Sequence, residues 1–515
     1  MRDTIRGKSV WAVAALALLA TQTAWAGSKD NSLSIALSEP IEGVAEIFQP
    51  NDEMQLPGRA VFDRLLSVNT DNGSIVPHLA TSWKQVDDRT WDFTLRTDVK
   101  FHDGTPFSAD DAVYTLNWAS DPNVNIRLKN RFSWVQKAEK LGPGSIRVRT
   151  HEPYALTLLN LAIQFPMLPA VYHGSFANKP DFDWKPIGTG PYKVVSADRN
   201  AGLVFASNEN FVHANAFFPK ASIARVTIKS IPDEQTRIAQ MMVNSLELTR
   251  VVSTDIGTAM KSDPRFAVST VNGLQYFYLL LDASDRSGIG VLKDARVRRA
   301  IFHAIDRDAI RRELVPGGAN AFAMDALCIP VQVGCKANVK PPEFDPAKAR
   351  ALLKEAGYEK GFAFEIVALD RSRPIAEAIS GYLSRVGIKA SINMVTLGVM
   401  AKLRADNKMN ALVYIYGSGG IPDTGVLLGY QFKHEAQDFT RSDKLKEIAE
   451  RTESVLDETV RNRLIGEALD INNQEAFVLP ISGAPQAFVY AKDLEIPRVT
   501  LSGYGLLLNQ LKWKQ

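Results

Sequence analysis

"TWDFTLRTDVKFHDGTPFSADDAV" runs from Thr90 to Val113 and combines three patterns that decide this part of the fold. "TWDFTLR" alternates apolar and polar residues, as expected of a strand with one buried face. Asp103–Gly104 is a turn dipeptide, and Ser108 followed by Asp111 predicts a capping box at a helix start. His102 lies at this corner, where nothing local supplies a nucleophile or an enclosed pocket. We therefore interpret the stretch as scaffold and not as a catalytic corner.

The N-terminal segment, residues 1–26, has a basic start, an apolar run and the small-x-small sequence Ala-Trp-Ala at its end. This pattern is typical of a secretory signal peptide, so we expect a mature chain from about Gly27. The apolar run is too short for a membrane span, and no cysteine follows the cleavage position to carry a lipid, which predicts a soluble, freely exported protein. Without this segment the net charge falls from +3 to about +1. That balance argues against a nucleic-acid partner.

The chain has 515 residues with 45% hydrophobic content, which is too long for one ordinary core and predicts two or three domains. Alternating segments occur between helical ones such as "FDPAKARALLKEAGY", where Asp345 is the expected N-cap, Pro346 the first helical residue and Gly357 the stop. "DARVRRAIFHAIDRDAIRREL" is also helical, with Asp306 able to start a new turn. The order predicts an α/β protein, and since no flexible linker is present, its lobes should be joined by crossing strands.

Cys328 and Cys335 are the two cysteines of the chain. In an exported protein we expect them to form a disulfide that closes the loop "CIPVQVGC". A metal site is the weaker alternative, because two thiols without further ligands nearby make a poor zinc site.

Motifs for nucleophilic, phosphate-binding and zinc-dependent chemistry are absent from the sequence: it has no G-x-S-x-G, no S-x-x-K, no G-x-x-x-x-G-K-[ST] and no H-E-x-x-H. The seven histidines are dispersed singly, which excludes helix-based metal pairs. We predict no catalytic residue, no bound metal and no cofactor.

"VPHLATSWKQVDDRTWDFTLRTDVKFHDGTPFSADDAVYTLNW", Val76 to Trp118, resembles the signature region of the extracellular solute-binding proteins of the peptide/nickel class, family 5, which serve ABC importers. Further matching segments follow in the family's order: "PIGTGPYKV" (186–194), "DARVRRAIFHAIDRDAI" (294–310), "FDPAKARALLKEAGY" (344–358) and "LSRVGIKASI" (383–392). Together they cover most of the predicted mature chain. These segments are specific for the family but give almost no information about which ligand is bound.

The resemblance implies an α/β, two-lobed periplasmic-binding-protein fold of the Venus-flytrap type, with an extra subdomain in lobe I. The ligand would be enclosed between the lobes by hinge closure. The boundaries that we expect are 27–60, 186–272 and 485–515 for lobe I, 61–185 for the extra subdomain, and 273–484 for lobe II.

The resemblance also implies where a ligand amine would bind. In peptide-binding relatives, an Asp in a G-D-x-G-x-P-D-like segment pairs with the peptide ammonium. The corresponding "YGSGGIPDTG" begins at Tyr416 and keeps Asp423, but it has Ser418 where that Asp would fall. A buried ammonium without a carboxylate partner is costly, so either the ligand lacks a free α-amine or another acid supplies the charge.

"FQPNDEMQLPG" is the candidate for that replacement acid, because it follows the first strand and a helixless loop, where the resemblance implies that relatives line the cleft, and it carries Asn51, Asp52 and Glu53. The alternative is a solvated acidic loop. For a ligand carboxylate or phosphate, the relatives' Arg corresponds to "LDRSRPIAEAI", which offers Arg371 and Arg373, one of them expected on the surface.

Aromatic residues are the remaining candidates for the cleft. "LQYFYLLLD" alternates as a strand between lobes, so one of its faces should pack in the core and the other, with Tyr276, could floor the cleft. Tyr416 and Tyr430 flank the glycine-rich turn in a similar way.

We therefore expect a monomeric, non-enzymatic periplasmic receptor. It would pass a short peptide, or a peptide-like, opine-like or sugar-phosphate-like solute, to the permease subunits of an ABC importer. A metal-chelate or haem carrier of the same fold and a periplasmic hydrolase are the alternatives. Ser418 predicts weak binding of ordinary dipeptides.

Overall fold

The computed structural model describes residues 26–45, 47–48, 52–69, 72–126, 129–215, 217–251, 253–497 and 506–515. The expected signal peptide lies outside these residues except for Ala26. No helix in the described part of the chain is long and apolar enough to cross a membrane.

The strands are short and lie in both halves of the chain. They are β1 (Ser32–Leu37), β2 (Leu66–Val68), β3 (Ile75–Pro77), β4 (Ala80–Asp87), β5 (Thr90–Leu95), β6 (Val135–Gly142), β7 (Ser145–Thr150), β8 (Tyr192–Asp198), β9 (Gly202–Ser207), β10 (Arg225–Ser230), β11 (Leu248–Val251), β12 (Phe266–Val271), β13 (Gln275–Leu281), β14 (Ala363–Ala368), β15 (Lys389–Met394), β16 (Ala411–Gly417), β17 (Val478–Gly483), β18 (Gln486–Ala491), β19 (Leu494–Glu495) and β20 (Lys512–Trp513).

The helices are concentrated after β13. They are α1 (Ala26–Asp30), α2 (Gln55–Val61), α3 (Ala109–Ser120), α4 (Thr157–Ile163), α5 (Ala170–Ser175), α6 (Glu234–Met242), α7 (Thr254–Ser262), α8 (Ala295–Ala304), α9 (Arg307–Leu314), α10 (Pro346–Glu355), α11 (Arg373–Ser384), α12 (Leu397–Ala405), α13 (Thr424–Gln431), α14 (Asp443–Ser454) and α15 (Glu458–Glu475).

Local sequence signals set several of these boundaries. Asp345 caps α10 by accepting a hydrogen bond from the backbone N of Lys348 at 2.9 Å, and Pro346 is its first residue. Gly357 follows the helix with φ +87°, a conformation that glycine adopts without a Cβ penalty. Asp306 caps α9 separately, so the predicted helical stretch is two helices.

The protein has two lobes, as the sequence predicts. A seven-stranded sheet in the first lobe has the order β12-β18-β11-β1-β10-β9-β8, with strands drawn from the beginning, the middle and the end of the chain. A five-stranded sheet in the second lobe has the order β15-β14-β16-β13-β17 and is built from one continuous run of sequence.

Two short connections join these sheets. Residues 272–274 lead from β12 to β13, and residues 484–485 lead from β17 back to β18. The connections run side by side, because the backbone N of Ala484 donates to the carbonyl oxygen of Gln275 at 2.8 Å. Paired strand crossings of this kind can absorb a hinge rotation of one lobe against the other.

The five-stranded sheet is buried on both faces. Alternate residues of β13 enter different clusters: Phe277, Leu279 and Leu281 pack on one side. Tyr276 and Tyr278 pack on the other. All seven residues of β13 are buried, which explains the run of aromatic and aliphatic residues that follows Gln275.

The opening stretch of the sequence analysis forms part of a separate four-stranded sheet, in the order β4-β5-β7-β6, packed on α3. The capping box of Ser108 and Asp111 is present at the start of α3. The ring of His102 contacts the carbonyl oxygen of Gly190 through Nε2 at 3.0 Å and the backbone N of Gly188 through Nδ1 at 3.3 Å. Burial lowers the pKa of His102 to about 4, so the ring is neutral and ties this hairpin to the segment before β8.

Cys328 and Cys335 form a disulfide with an Sγ–Sγ distance of 2.05 Å. Cys328 is buried in the same cluster as Tyr276 and Tyr278. The bridge therefore anchors its loop to the core of the second lobe.

Candidate functional site

A cleft of about 1660 Å³ lies between the two lobes and the four-stranded subdomain. The first lobe contributes Glu53 and Arg250 to its wall, the subdomain contributes Arg131, Trp134 and Tyr154, and the second lobe contributes Arg371, Tyr414, Tyr416, Ser418 and Tyr430. Its volume exceeds that of a typical small-molecule pocket, and its wall combines aromatic faces with a few charged groups.

The subdomain touches the second lobe across one end of the cleft. The backbone N of Ala155 donates to the carbonyl oxygen of Glu453 at 2.8 Å. Nε2 of Gln164 donates to the carbonyl oxygen of Gly419 at 3.4 Å. A Cβ placed on Gly419 would lie 2.9 Å from Nη2 of Arg131, so the arginine passes directly over this glycine. The lobes are thus in contact around the cleft.

The proposed replacement acid is held by the protein itself. One carboxylate oxygen of Glu53 accepts from the backbone N of Ser38 and Glu39 at 2.7 and 2.8 Å. The other accepts from the hydroxyl of Ser38 at 2.7 Å and lies 3.6 Å from Nε of Arg250. Both oxygens of Glu53 are therefore engaged, although the residue lines the cleft.

The segment around Glu53 begins a helical region. Residues Asp52–Met54 form a 3₁₀ helix that continues into α2. Glu53 is 1% exposed, so the alternative of a solvated acidic loop does not hold for this residue. Asn51 and the side chain of Asp52 lie outside the described part of the structure. Their expected ligand contacts stay predictions.

The glycine-rich turn places its two polar candidates differently. Ser418 lines the cleft, is 4% exposed, and its hydroxyl has no hydrogen-bond partner among the described residues. Asp423 is not part of the lining. Its carboxylate receives both Nη atoms of Arg461 at 2.6 and 2.7 Å, and it caps α13 through the backbone N of Gly425.

Arg371 and Arg373 face different surroundings. Arg371 lines the cleft, its guanidinium carbon lies 5.4 Å from the ring centre of Tyr414, and its Nη2 is 3.4 Å from the hydroxyl of Tyr414. Arg373 lies outside the lining and pairs on the surface with Asp370 at 2.9 Å. Of the two arginines, the structure brings Arg371 to the cleft.

Tyrosines form the second lobe's wall in two layers. Tyr416 is in the front layer, with Tyr414 two residues before it on the same face of β16 and Tyr430 packed 5.2 Å away, centroid to centroid. Tyr276 lies in the back layer, 5.6 Å from the ring of Tyr416, and is 1% exposed. The structure therefore places Tyr276 behind the wall and not on the floor of the cleft.

Sequence reasoning missed Arg404, which lies behind the tyrosines. Its Nη1 donates to the hydroxyl of Tyr430 at 3.2 Å. It also missed Tyr414, although the alternation of "ALVYIYG" places Tyr414 and Tyr416 on one face. Arg131, Trp134 and Tyr154 carry no local signal, because their position depends on how the subdomain meets the second lobe.

A buried polar cluster away from the cleft was also missed. The carboxylate of Asp63 contacts Nε2 of His78 at 2.9 Å and Nε2 of His213 at 2.7 Å, and it accepts from the hydroxyl of Thr189 at 2.7 Å. Burial opposes the charge of Asp63, but the two imidazoles hold its pKa below the ordinary value.

Asp63, His78 and His213 are residue types that can bind a metal ion, and their ligand atoms lie within 4.8 Å of one another. Both Nε2 atoms already contact the Asp63 carboxylate, while the Nδ1 atoms of His78 and His213 are buried without a described partner. Metal-bound imidazoles normally donate their second N–H to a partner, so this arrangement fits a hydrogen-bonded junction better than a metal site.

The sequence profile described as "Bacterial extracellular solute-binding proteins, family 5 Middle" matches residues 74–438, and the chain belongs to this family. The prediction of the family and of the two-lobed fold is confirmed. Members of the family are binding proteins.

Two curated relatives show how ligands vary within the family. The dipeptide-binding protein of Escherichia coli K12 is 25% identical over 420 residues, which cover 74% of this chain and 76% of the relative. The nickel-binding periplasmic protein of the same organism is 26% identical over 459 residues, which cover 82% and 83%.

A solved structure has the same fold. The ABC transporter-associated periplasmic binding protein DppA from Helicobacter pylori, in complex with the peptide STSA, superposes with a TM-score of 0.78 at 22% identity. The match covers 94% of this chain and 98% of that one.

Proposed function

We propose that this chain is a periplasmic receptor that captures a small peptide-like or opine-like solute between its lobes and delivers it to an ABC importer. The observation that carries the proposal is the cleft of about 1660 Å³ between two lobes joined by two adjacent strand crossings. Closing such a cleft removes the solute from water and strengthens its polar contacts.

The proposed receptor performs no chemistry on its solute. General acid–base catalysis needs a side chain, most often an imidazole or a carboxyl, that can exchange a proton with the substrate. Glu53 is held by backbone and hydroxyl donors and Asp423 by Arg461, so neither is suited to that task.

The proposed solute lacks a free α-ammonium. Ser418 is at the place where a carboxylate would pair with an ammonium, and both oxygens of Glu53 already accept hydrogen bonds. An ammonium bound at the Ser418 position would therefore receive no carboxylate from Ser418 or from Glu53. N-substituted peptides and opines, whose nitrogen carries a further substituent, fit this pattern better than ordinary dipeptides.

The remaining parts of the proposal concern architecture and partners. We assign 27–60, 186–272 and 485–515 to lobe I, 61–185 to the extra subdomain and 273–484 to lobe II. The sheet composition supports this division, because β1, β8 to β12 and β18 share one sheet while β13 to β17 form the other. The receptor would be exported by its signal peptide without a lipid anchor, act as a monomer and meet permease subunits of the importer, with no role for nucleic acid.

Native mass spectrometry of the purified protein, combined with small-angle scattering, tests this function. We expect a co-purifying or added solute to be retained chemically intact, with a smaller radius of gyration in the bound state. A metal chelate or haem in the spectrum would support the alternative carrier role instead. A chemically altered solute, or the absence of both retention and closure across a broad solute library, would contradict the proposal.

Arg371 and Arg373 provide a matched pair of variants for this test. Arg371→Met should weaken binding of the retained solute by about tenfold or more, the effect of losing a hydrogen bond to a charged group. Arg373→Met should leave binding unchanged, since its side chain pairs on the surface. Equal effects of the two substitutions would refute the assignment of Arg371 to the solute.

A further inference from the structure

We propose that the wall formed by Tyr414 and Tyr430 binds an anionic group of the solute, a carboxylate or a phosphate, and that Arg404 sets this selectivity from behind the wall. The inference rests on the proposed receptor function and deepens it by naming the chemistry of one end of the solute. Arg404 is a positioning residue here, because it acts through Tyr430.

Arg404 lies on α12 as a guanidinium without a carboxylate partner. Its Nη1 donates to the hydroxyl of Tyr430 at 3.2 Å, whereas Nε and Nη2 are buried and have no hydrogen-bond partner among the described residues. No described carboxylate forms an ion pair with it; on the same helix Lys402 takes the neighbouring acid, Asp406, at 3.0 Å. A guanidinium stays protonated in proteins, so Arg404 places a positive charge directly behind the cleft wall.

The two tyrosine hydroxyls face arginines with their oxygens, which leaves their protons free to be donated to a hydrogen-bond acceptor on the solute. Tyr430 accepts from Arg404, and Tyr414 lies 3.4 Å from Nη2 of Arg371. A phenol oxygen that accepts from a guanidinium keeps its own proton to donate. Both rings line the cleft, so the wall offers two O–H donors beside the guanidinium of Arg371.

The protonation state and the neighbouring charges favour the same ligand. Burial raises the pKa of Tyr414, so its hydroxyl remains a donor at neutral pH. Three acids of the cleft lining are engaged: Asp370 pairs with Arg373 at 2.9 Å, the Glu453 carboxylate pairs with Lys433, and Glu435 accepts from Nε2 of Gln437 at 3.2 Å. Two O–H donors beside two guanidinium charges favour an acceptor that carries a negative charge over a neutral carbonyl.

The test uses a mixture of N-acetyl dipeptides with varied C-terminal residues, supplied as acids and as C-terminal amides, together with amides that end in phosphoserine. Native mass spectrometry measures which members the wild-type protein retains. We expect acids or phosphoserine peptides to be retained at least about tenfold more than uncharged amides. The acid and phosphoserine arms distinguish a carboxylate from a phosphate.

Three variants locate the selectivity. Arg404→Met and Tyr430→Phe should each reduce retention of the anionic members by about tenfold or more, while Lys402→Met, on the same helix but exposed, should leave it unchanged. If Arg404→Met does not fold, Tyr430→Phe still removes the hydroxyl while keeping the ring. Its melting temperature should stay close to that of the wild type.

Two results would overturn the inference. One is retention of amides as well as acids, or of no anionic member at all. The other is an anion preference that persists in Tyr430→Phe and in folded Arg404→Met. If the protein then closes on neutral or cationic solutes in scattering, the receptor function stands and only this inference fails. If it closes on no solute, the receptor function fails as well.

Discussion

Asp423 and Arg461 form a two-pronged ion pair, with Nη1 and Nη2 of the arginine 2.7 and 2.6 Å from the two carboxylate oxygens. Both side chains are buried, and the pair joins the start of α13 to α15. The remaining Nε of Arg461 donates to the carbonyl oxygen of Thr452 at 2.7 Å. Asp423 is the one acid of the peptide-binding pattern that the glycine-rich turn keeps, and its carboxylate is already paired with Arg461.

Asp423→Ala should lower the free energy of unfolding by about 3–5 kcal/mol, because it leaves the Arg461 guanidinium buried without a counter-charge. Urea denaturation of the two proteins measures the difference. Asp370→Ala, which breaks an exposed pair, is the control and should cost less than about 1 kcal/mol. The double variant Asp423→Ala with Arg461→Met should recover part of the loss, and a single variant as stable as the wild type would contradict the role of the pair.

Asp183 predicts a dependence of stability on pH. One of its carboxylate oxygens accepts from the backbone N of Val44 and Ala45, while the other is buried without a described partner. Burial raises the pKa of Asp183 to about 7. The folded protein therefore holds this proton where the unfolded chain has lost it, so the contribution to stability is complete below about pH 4 and is lost as the pH rises to about 7.

Asp183→Asn should remove this dependence. The wild type should lose up to about 1.4 kcal/mol per pH unit relative to the variant between pH 4 and 7. Urea denaturation at several pH values measures the difference, and Asp181→Asn, nearby and exposed, should follow the wild type. Parallel pH profiles of wild type and Asp183→Asn would count against a raised pKa.

The disulfide predicts a modest sensitivity to reductant. Cys328 and Cys335 are seven positions apart, and closing so short a loop stabilises a protein by about 2 kcal/mol in the chain-entropy account. We expect dithiothreitol to lower the melting temperature of the wild type by a few degrees. The double variant Cys328→Ser with Cys335→Ser should melt at the same temperature with and without reductant. A reductant effect on that variant would show that the loss of stability does not come from this disulfide.

The close contact between Gly419 and Arg131 predicts that a larger residue at position 419 hinders closure of the cleft. Gly419 has φ +66°, and a Cβ on it would press against the guanidinium of Arg131 in the subdomain. Gly419→Ala should cost about 1 kcal/mol in backbone strain and weaken solute binding severalfold, because closure brings these groups together. Gly398→Ala is the control, since a Cβ there meets open space. Unchanged binding and scattering of Gly419→Ala would show that this contact does not limit closure.

Residues whose partners are close in sequence were predicted well. Asp345 and Asp306 cap their own helices, Ser108 and Asp111 form a box within one turn, and β13 lies within the predicted strand "LQYFYLLLD", because these features depend on local geometry. The family resemblance supplied the lobes, which no local pattern encodes.

Contacts between distant segments were not predictable in the same way. Arg404 and Tyr430 lie on different helices, and His213 reaches Asp63 across 150 positions. Asp423 looked like a ligand group because the sequence does not show that Arg461 faces it. The role of each of these polar residues depends on which side chain lies opposite it in the folded protein. The sequence alone does not show that partner.

The position of β18 has a consequence for the order in which the chain folds. β18 lies between β11 and β12 and pairs with both, so β12 stays separated from the rest of the first lobe's sheet until residues 486–491 are in place. The second lobe is a contiguous insertion and can collapse earlier. The seven-stranded sheet is thus expected to be completed late in folding, when β18, the last of its strands along the chain, inserts between β11 and β12.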